Sequence, residues 1–446
     1  MEKRGRAAVT VITHAFTHAA QQRAQALGLP AHPVVVVEHP LASKTRDQAQ
    51  DLARHSLEAV VHGLVAHQEE PGRASPVRPP PRRARASHLP VSGTVSAMND
   101  YLYDQGWTDG LPVIPPTPDL VAAMLEAAPL PAEEVLGTLP PRDGTVTVEK
   151  VASNAVMAGC QPAYFPVVLA AVKAVLQPQF NAGAITTTTG GAAPVVIISG
   201  PIAQQLGIHS GTAVLGSGHR PNATIGRALR LTMRNLGGAT ADTMEKSTHG
   251  WPGKYTMCFA ENAARNPWEP LHVALGFAPE VSIVVVVAAR GLITSVEASQ
   301  ETGLGNLETL VSAMRGEGIS GYYYQARGAS PIVVLGPEHA AEIAAAGMGR
   351  HAVKEYIFQH ARMPLGSLRD RGHWGARSWP EAWEHQPDDF PVPLVTDPDK
   401  LIVVVAGGDG RHSSWFPAWS ATQRAMEVIE TSPEWGPRAG APSPCG

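Results

Sequence analysis

Three cysteines in 446 residues, Cys160, Cys258 and Cys445, are too few and too scattered for a disulfide framework or a Cys-x-x-Cys zinc site. A reducing cytoplasm is the expected home. Charge is scarce as well: Asp, Glu, Lys and Arg make up 17% of the chain, against ~25% in an average protein. With 35 basic and 39 acidic residues there is no global positive field to hold nucleic acid or anionic lipid, so neither is an expected partner. No apolar run approaches the ~18 residues of a membrane span. The first residues carry Lys3, Arg4 and Arg6, but Thr13, His14, Thr17 and His18 interrupt the apolar run that follows, leaving no secretory h-region. Glycine and proline, at 43 and 40 residues, are abundant instead and point to a turn-rich chain.

At roughly 100–200 residues per domain, the length predicts two or three domains with real cores. Residues 7–12 and 34–38 read as β-branched strands around a helix ending at Gly28, and Arg46–Val65 as a second helix. Residues 1–66 are therefore an incomplete βαβ piece, with too few strands for a domain alone. Residues 67–97 hold six prolines and five arginines within PGRASPVRPPPRRARASHLP and read as a disordered linker. The body spans 98–431, and 432–446 is a Pro/Gly tail expected to be disordered. Inside the body four continuous apolar runs, PVVIIS (194–199), VSIVVVVA (281–288), PIVVL (331–335) and LIVVVA (401–406), fit strands covered on both faces. The overall class is α/β.

The body also repeats itself. AITTTTGGAAPVVIISGPIAQQLG aligns with YYYQARGASPIVVLGPEHAAEIAAAG, and APEVSIVVVVAARG answers DPDKLIVVVAGGDG. Two related α/β halves, about 150–291 and 306–411, are expected around a pseudo-twofold axis, with a ligand cleft at the carboxyl ends of strands.

Five stretches can carry chemistry. In TVEKVASNAVMAGC, Asn154 lies in the first turns of a helix that breaks at Gly159. Cys160 follows, either as a low-pKa nucleophile or as an inert buried thiol. In TTTTGG, read as a polar strand, Thr188 can line a pocket while Gly190 and Gly191 offer backbone N–H groups to an anion. GSGHRPNATIGRALRLTMRN sets a Gly-rich loop before a helix, with Asn222 as the expected N-cap and Arg227 near a carboxylate or phosphate. The densest cluster, residues 248–273, holds Lys254, Tyr255, Cys258, Glu261, Asn262 and His272. A desolvated Lys254 there can act as acid, base or Schiff-base amine. His249, His272, Cys258 and Glu261 could also form a metal site, but their spacing matches no zinc signature, and no cofactor is evident. AGGDGRHSSWF puts His412 and Ser413 just past a strand. Each of these stretches also has a plain structural reading as packing, capping or turn.

The segment EKRGRAAVTVITHAFTHAAQQRAQALGLPAHPVVVVEHPLASKT resembles the later part of the UGSC-like domain. The body strings VASNAVMAGCQPAYFPVVLAAV, NATIGRALRLTMRNLGG, GKYTMCFAEN and NPWEPLHV resemble the long region fused to that domain in larger proteins. That family is named for a selenocysteine- or cysteine-Gly-Ser-Cys motif, so the resemblance implies thiol or selenol chemistry of a redox kind. No such string occurs in this sequence. The resemblance leads to three expectations: the motif lies upstream, is supplied by a separate polypeptide, or is lost. Thr13, His14, Thr17 and His39 are the candidate partners of the absent thiol.

Three functions follow as expectations. The first is a thiol or selenol enzyme acting on a small molecule; the second is a lyase or hydratase using Lys254, Glu261 and His272 in the body; the third is a non-catalytic subunit that binds a small carboxylate. The expected partners are a small-molecule substrate, carboxylate included, a separate thiol-bearing polypeptide and further copies of this chain.

Overall fold

The computed structural model describes residues 6–39, 41, 44–65, 89–241, 243–299, 302–325, 328–369, 383, 385–420, 422–432 and 435. Pro40, residues 66–88 of the linker region, Cys445 and the end of the tail lie outside them.

The N-terminal piece runs β1 (Thr10–Thr13), α1 (Thr17–Ala26), β2 (Val34–Val37) and α2 (Arg46–Val65). β1 and β2 pair in parallel, Thr13 opposite Val37, as a βαβ crossover requires. No described side chain in this piece is fully buried, and Val11, Val36, Leu57, Val61 and Val65 are exposed. A two-stranded sheet cannot enclose a core of its own.

The body opens with α3 (Val95–Asp104), α4 (Pro118–Leu125) and the hairpin β3 (Val135–Leu139)–β4 (Gly144–Thr147). Its first half continues through α5 (Val148–Ala158), α6 (Phe165–Leu176), α7 (Ala182–Thr187), β5 (Ala193–Ser199), α8 (Ile202–Gln205), α9 (Arg220–Gly237), β6 (Cys258–Ala260), α10 (Leu271–Ala274) and β7 (Ile283–Ala289). Next come β8 (Ile293–Val296), α11 (Gly303–Arg315), α12 (Gly318–Gln325), β9 (Ile332–Leu335), α13 (Pro337–Ala345), α14 (Arg350–His360), β10 (Arg362–Pro364), α15 (Leu365–Leu368) and β11 (Pro391–Pro393). The chain closes with β12 (Ile402–Val405), β13 (His412–Phe416) and β14 (Ala425–Val428).

Two four-stranded mixed sheets organise this body, in the orders β14-β7-β5-β6 and β8-β13-β9-β12. Read this way, each sheet has the same pairing sequence: antiparallel, antiparallel, parallel. The edge strand that follows β7 joins the second sheet, and the one that follows β13 joins the first. Side-chain alternation then builds four layers. Val195 and Ile197 of β5 meet Ile332 and Val334 of β9 and Ile402 and Val404 of β12 in a core between the sheets. Val196 and Ile198 face α5, α6 and α9, while Val333, Leu335, Val403 and Val405 face α11, α13 and α14. Strands buried on both faces read as continuous apolar runs, and the four runs seen in the sequence are β5, β7, β9 and β12.

One element of the sequence alignment is corrected. β7 is antiparallel to β5, whereas β12 is parallel to β9, so VSIVVVVA takes the place of β13 rather than of LIVVVA. The short β6 occupies the place of β12. The Gly-Pro turns do correspond. A Cβ on Gly200 would lie 2.5 Å from Ser282 Cα, and one on Gly336 would lie 2.2 Å from the His412 carbonyl oxygen. Each glycine lets the start of the neighbouring antiparallel strand cross the helix entry. Ser282 Oγ accepts from the Ile202 amide at 3.0 Å and Ser413 Oγ from the Gly336 amide at 3.2 Å.

Among the described residues no single helix is long and apolar enough to cross a membrane. The most apolar, α6, packs against β7, β14 and α9 and is buried on nearly every side, which accounts for its composition.

Candidate functional site

The N-terminal candidates converge where β1 and β2 end. Thr13 Oγ1 lies 3.0 Å from His39 Nδ1, and the His39 amide donates to His14 Nδ1 at 3.3 Å. The two imidazoles sit edge to face with centroids 5.8 Å apart. Thr17 caps the turn by donating from Oγ1 to the His14 carbonyl at 2.9 Å. Because His14 Nδ1 accepts a backbone N–H, the proton of its neutral ring sits on Nε2 and that nitrogen is a donor. His39 keeps both roles open, since the Thr13 hydroxyl can either donate to Nδ1 or accept from it.

Beside this cluster the piece meets the body. Arg23 of α1 donates to the Asp143 carboxylate and, at 2.7 Å, to the Pro141 carbonyl, while Arg142 reaches Gln22 Oε1 at 3.2 Å. Between these contacts lies an open pocket of about 440 Å³, lined from one side by Ile12, Phe16, Ala19, Ala20 and Arg23 and from the other by Pro140, Pro141, Gly183, Thr187 and Met244. Phe16 links the two features: its ring lines the cavity and faces His39 at 6.1 Å. A pocket of this size at the junction of two units is a common place for a ligand.

In the body the structure unites Glu261 and His272, through a residue that sequence reasoning missed. Ser199, the last residue of β5, donates from Oγ to Glu261 Oε2 at 2.6 Å and lies 2.9 Å from His272 Nδ1. The Glu261 carboxylate also accepts from the Leu271 amide at 2.8 Å and from Asn266 Nδ2 at 2.9 Å, and Arg350 stands 3.5 Å away. Arg350 crosses between the halves, donating to the Val403 and Glu269 carbonyls at 2.5 Å each. Burial pushes its pKa down, and the Glu261 charge opposes that shift. Ser199, Glu261 and His272 are at most 5% exposed. A hydrolytic triad places the histidine between serine and carboxylate; here the serine lies between them, and His272 Nε2 faces the Pro279 carbonyl at 3.2 Å. A second buried Ser–His pair, Ser413 Oγ to His339 Nδ1 at 2.8 Å, lies in the other half. The only signal for Ser199 was a serine closing an apolar run ahead of Gly-Pro, and nothing local marked Arg350.

The remaining candidates stand apart, and several expectations change. Lys254 is desolvated as expected, which lowers its pKa, but it pairs with Glu245 at 2.8 Å rather than with Glu261. Its neighbour Tyr255 is exposed. Cys160 follows the C-terminal end of α5 instead of opening a helix, and burial pushes its thiol up to about 12, opposite to an activated nucleophile. Burial drives Cys258 upward too. TTTTGG is the end of α7 and a turn, not a strand. Thr188 Oγ1 accepts the Gly190 amide at 3.0 Å, and the Trp419 ring fills the place of a Cβ on Gly190. Gly191 packs against Gly250 and Trp251. These glycines serve close packing, and the Gly190 amide already has a partner inside the chain.

Asn222 is not the N-cap of α9, a position held by His219. It is buried in the first turn and bonds both the amide and the carbonyl of His209, at 2.8 and 2.9 Å. Arg227 forms a two-pronged pair with Asp109, both contacts at 2.8 Å, and its charge is thereby engaged. Asn154 bonds the Lys150 carbonyl and Asn235. Asn262 ties the two sheets, its amide donating to the Val405 carbonyl at 2.8 Å and Nδ2 to Gly407 at 3.1 Å. His412 is exposed, with Nδ1 at 2.5 Å from the Gly410 carbonyl. Among the described residues no group of three or more His, Cys, Asp or Glu side chains is placed to hold a metal ion.

A parallel βαβ crossover with a Thr/His cluster at its strand ends defines the class of the N-terminal piece. Residues 1–66 match the model of the UGSC family, the same segment whose motifs carry the resemblance. The match stops before the linker. No curated protein matches the chain.

Proposed function

We propose that this chain is part of an enzyme of small-molecule thiol or selenol chemistry, with the site at the junction of the N-terminal piece and the body. The observation that carries this reading is the convergence of Thr13, His14 and His39 beside a cavity that the two parts build together. The nucleophile comes from a Cys- or Sec-bearing segment outside this sequence, as the resemblance implies. His14, whose ring proton is placed on Nε2 by the His39 amide bond to Nδ1, donates to the thiolate and stabilises it, and His39 Nε2 exchanges a proton with the substrate. We also read the two sheets as products of one duplicated unit, supported by their shared pairing order and Gly-Pro turns.

The test extends the chain at Met1 by a linker bearing Cys-Gly-Ser-Cys, which raises the local thiol concentration. The thiolate absorbance is then titrated against pH. The first thiol is expected to ionise at least about one pH unit lower than in the same chain carrying His14→Gln and His39→Gln, a difference of ~1.4 kcal/mol. Identical titrations would overturn the reading.

A second reading, in which the body works alone, draws support from the joint contact of Glu261 and His272 with Ser199. It needs the network to open, because every bond described above for the Glu261 carboxylate is made within the protein.

A further inference from the structure

The walls of the junction cavity restrict what enters it. We propose that it takes an uncharged, mainly apolar molecule of one or two rings that offers a single hydrogen-bond donor. This inference rests on the junction being the working site and names its substrate class.

Charge is the first restriction. Arg23 is the cationic side chain on the lining, and its guanidinium is already held by the Asp143 carboxylate and the Pro141 carbonyl. Both contacts are made by Nη1, and they set the Asp143 carboxylate beside the guanidinium, so a ligand carboxylate drawn to Arg23 meets the repulsion of Asp143 and gains less than a neutral group does. Shape and polarity give the second. Ile12, Phe16, Ala19, Ala20, Pro140, Pro141 and Met244 make the surface predominantly hydrocarbon, with a prolyl-prolyl floor and a flexible thioether that adapts to a flat ring. Its volume of about 440 Å³ lies in the lower part of the usual range for ligand pockets, enough for one or two rings.

The third restriction is the polar contact. Thr187 lines the cavity, and its hydroxyl proton is spent on the Gly183 carbonyl at 2.7 Å. Where a ligand reaches this hydroxyl its oxygen can only accept, and the matching group on the ligand is an O–H or N–H. Phe16, between cavity and His39, orients the far end of the ring toward the imidazoles.

Three probes separate these restrictions, each titrated into the full chain by isothermal calorimetry: 2-naphthol, 2-methoxynaphthalene and 2-naphthoate. 2-Naphthol is expected to bind tightest. Methylating its hydroxyl should weaken binding about 5–10-fold, the scale of one hydrogen bond. 2-Naphthoate should bind at least about tenfold more weakly than 2-naphthol. Thr187→Val should erase the difference between naphthol and its methyl ether while keeping both bound. Ala20→Phe, which fills the cavity, should abolish all binding. Naphthoate binding as well as naphthol, or naphthol affinity unmoved by Thr187→Val, would overturn the proposal; the Thr187 result decides even where the Ala20 variant fails to fold. None of these readouts involves a thiol, so failure of the thiol chemistry and failure of this ligand class are told apart.

Discussion

Two polar clusters in this protein each set a hydroxyl beside histidine and teach opposite lessons. Ser199, Glu261 and His272 are sealed in the body, each at most 5% exposed, with the carboxylate bonded from several sides. Thr13, His14 and His39 sit on a piece with no fully buried side chain, joined by a few contacts of 3.0–3.3 Å, and His39 faces Phe16, which lines the junction pocket. Desolvation makes each contact in the first cluster necessary, since a buried group that loses its partner keeps the full cost of being out of water. In the second, water can replace a lost partner. The sealed cluster is therefore expected to govern stability and the open one chemistry, and that division can be broken by experiment.

The largest effect is expected from Glu261→Ala. It strands Arg350 between the halves and removes the acceptor of Ser199 and of the Leu271 amide. Breaking a buried ion pair on one side costs about 3–5 kcal/mol, to be read as a shift of the urea midpoint. A loss below about 1 kcal/mol would place this cluster with the open one.

Next comes the thiol layer of the body. Cys160 ionises near its ordinary 9.0 when unfolded and near 12 when folded, because burial disfavours the thiolate. Below pH 9 both states are protonated and the contribution to stability is intact. Above it the unfolded state loses its proton first, so stability falls between 9 and about 12, by roughly 1.4 kcal/mol per pH unit. Cys258 acts in the same direction. Cys160→Ala should flatten that slope in denaturation curves measured across this window. Iodoacetamide at pH 8 should label neither thiol before unfolding; fast labelling of native Cys160 would restore it as a nucleophile candidate.

The sequence announces what is local and periodic. α2 occupies the predicted Arg46–Val65, and the four apolar runs became β5, β7, β9 and β12, because burial on both faces writes itself into composition. Strand direction is not written there: β7 and β12 are near-identical Val-rich strings that run in opposite senses relative to the strands they flank. At the site, Thr13, His14 and His39 were legible because a single crossover brings both strand ends together. Lys254 and Glu261, seven residues apart, share one candidate segment. β6 sits between them, and Glu245, nine residues before Lys254, and Arg350, far along the chain from Glu261, complete the ion pairs instead. Spacing alone does not tell a near partner such as Glu245 from a distant one such as Arg350.

The smallest expected effect is the sharpest test of the comparison. His14→Gln removes an exposed ring whose Nδ1 accepts one 3.3 Å bond from the His39 amide, and glutamine Oε1 can accept in its place. An exposed polar substitution of this kind should change stability by no more than about 0.5 kcal/mol, measured by the same urea titration as Glu261→Ala. The imidazole donor at Nε2 is nevertheless gone, so whatever anion the cluster stabilises should lose a charge-assisted hydrogen bond, about tenfold or more in rate or affinity. A histidine that costs nothing to the fold and much to the chemistry belongs to a working site. One whose loss unfolds the N-terminal piece is holding two strand ends together, and the open cluster would then be structural as the sealed one is.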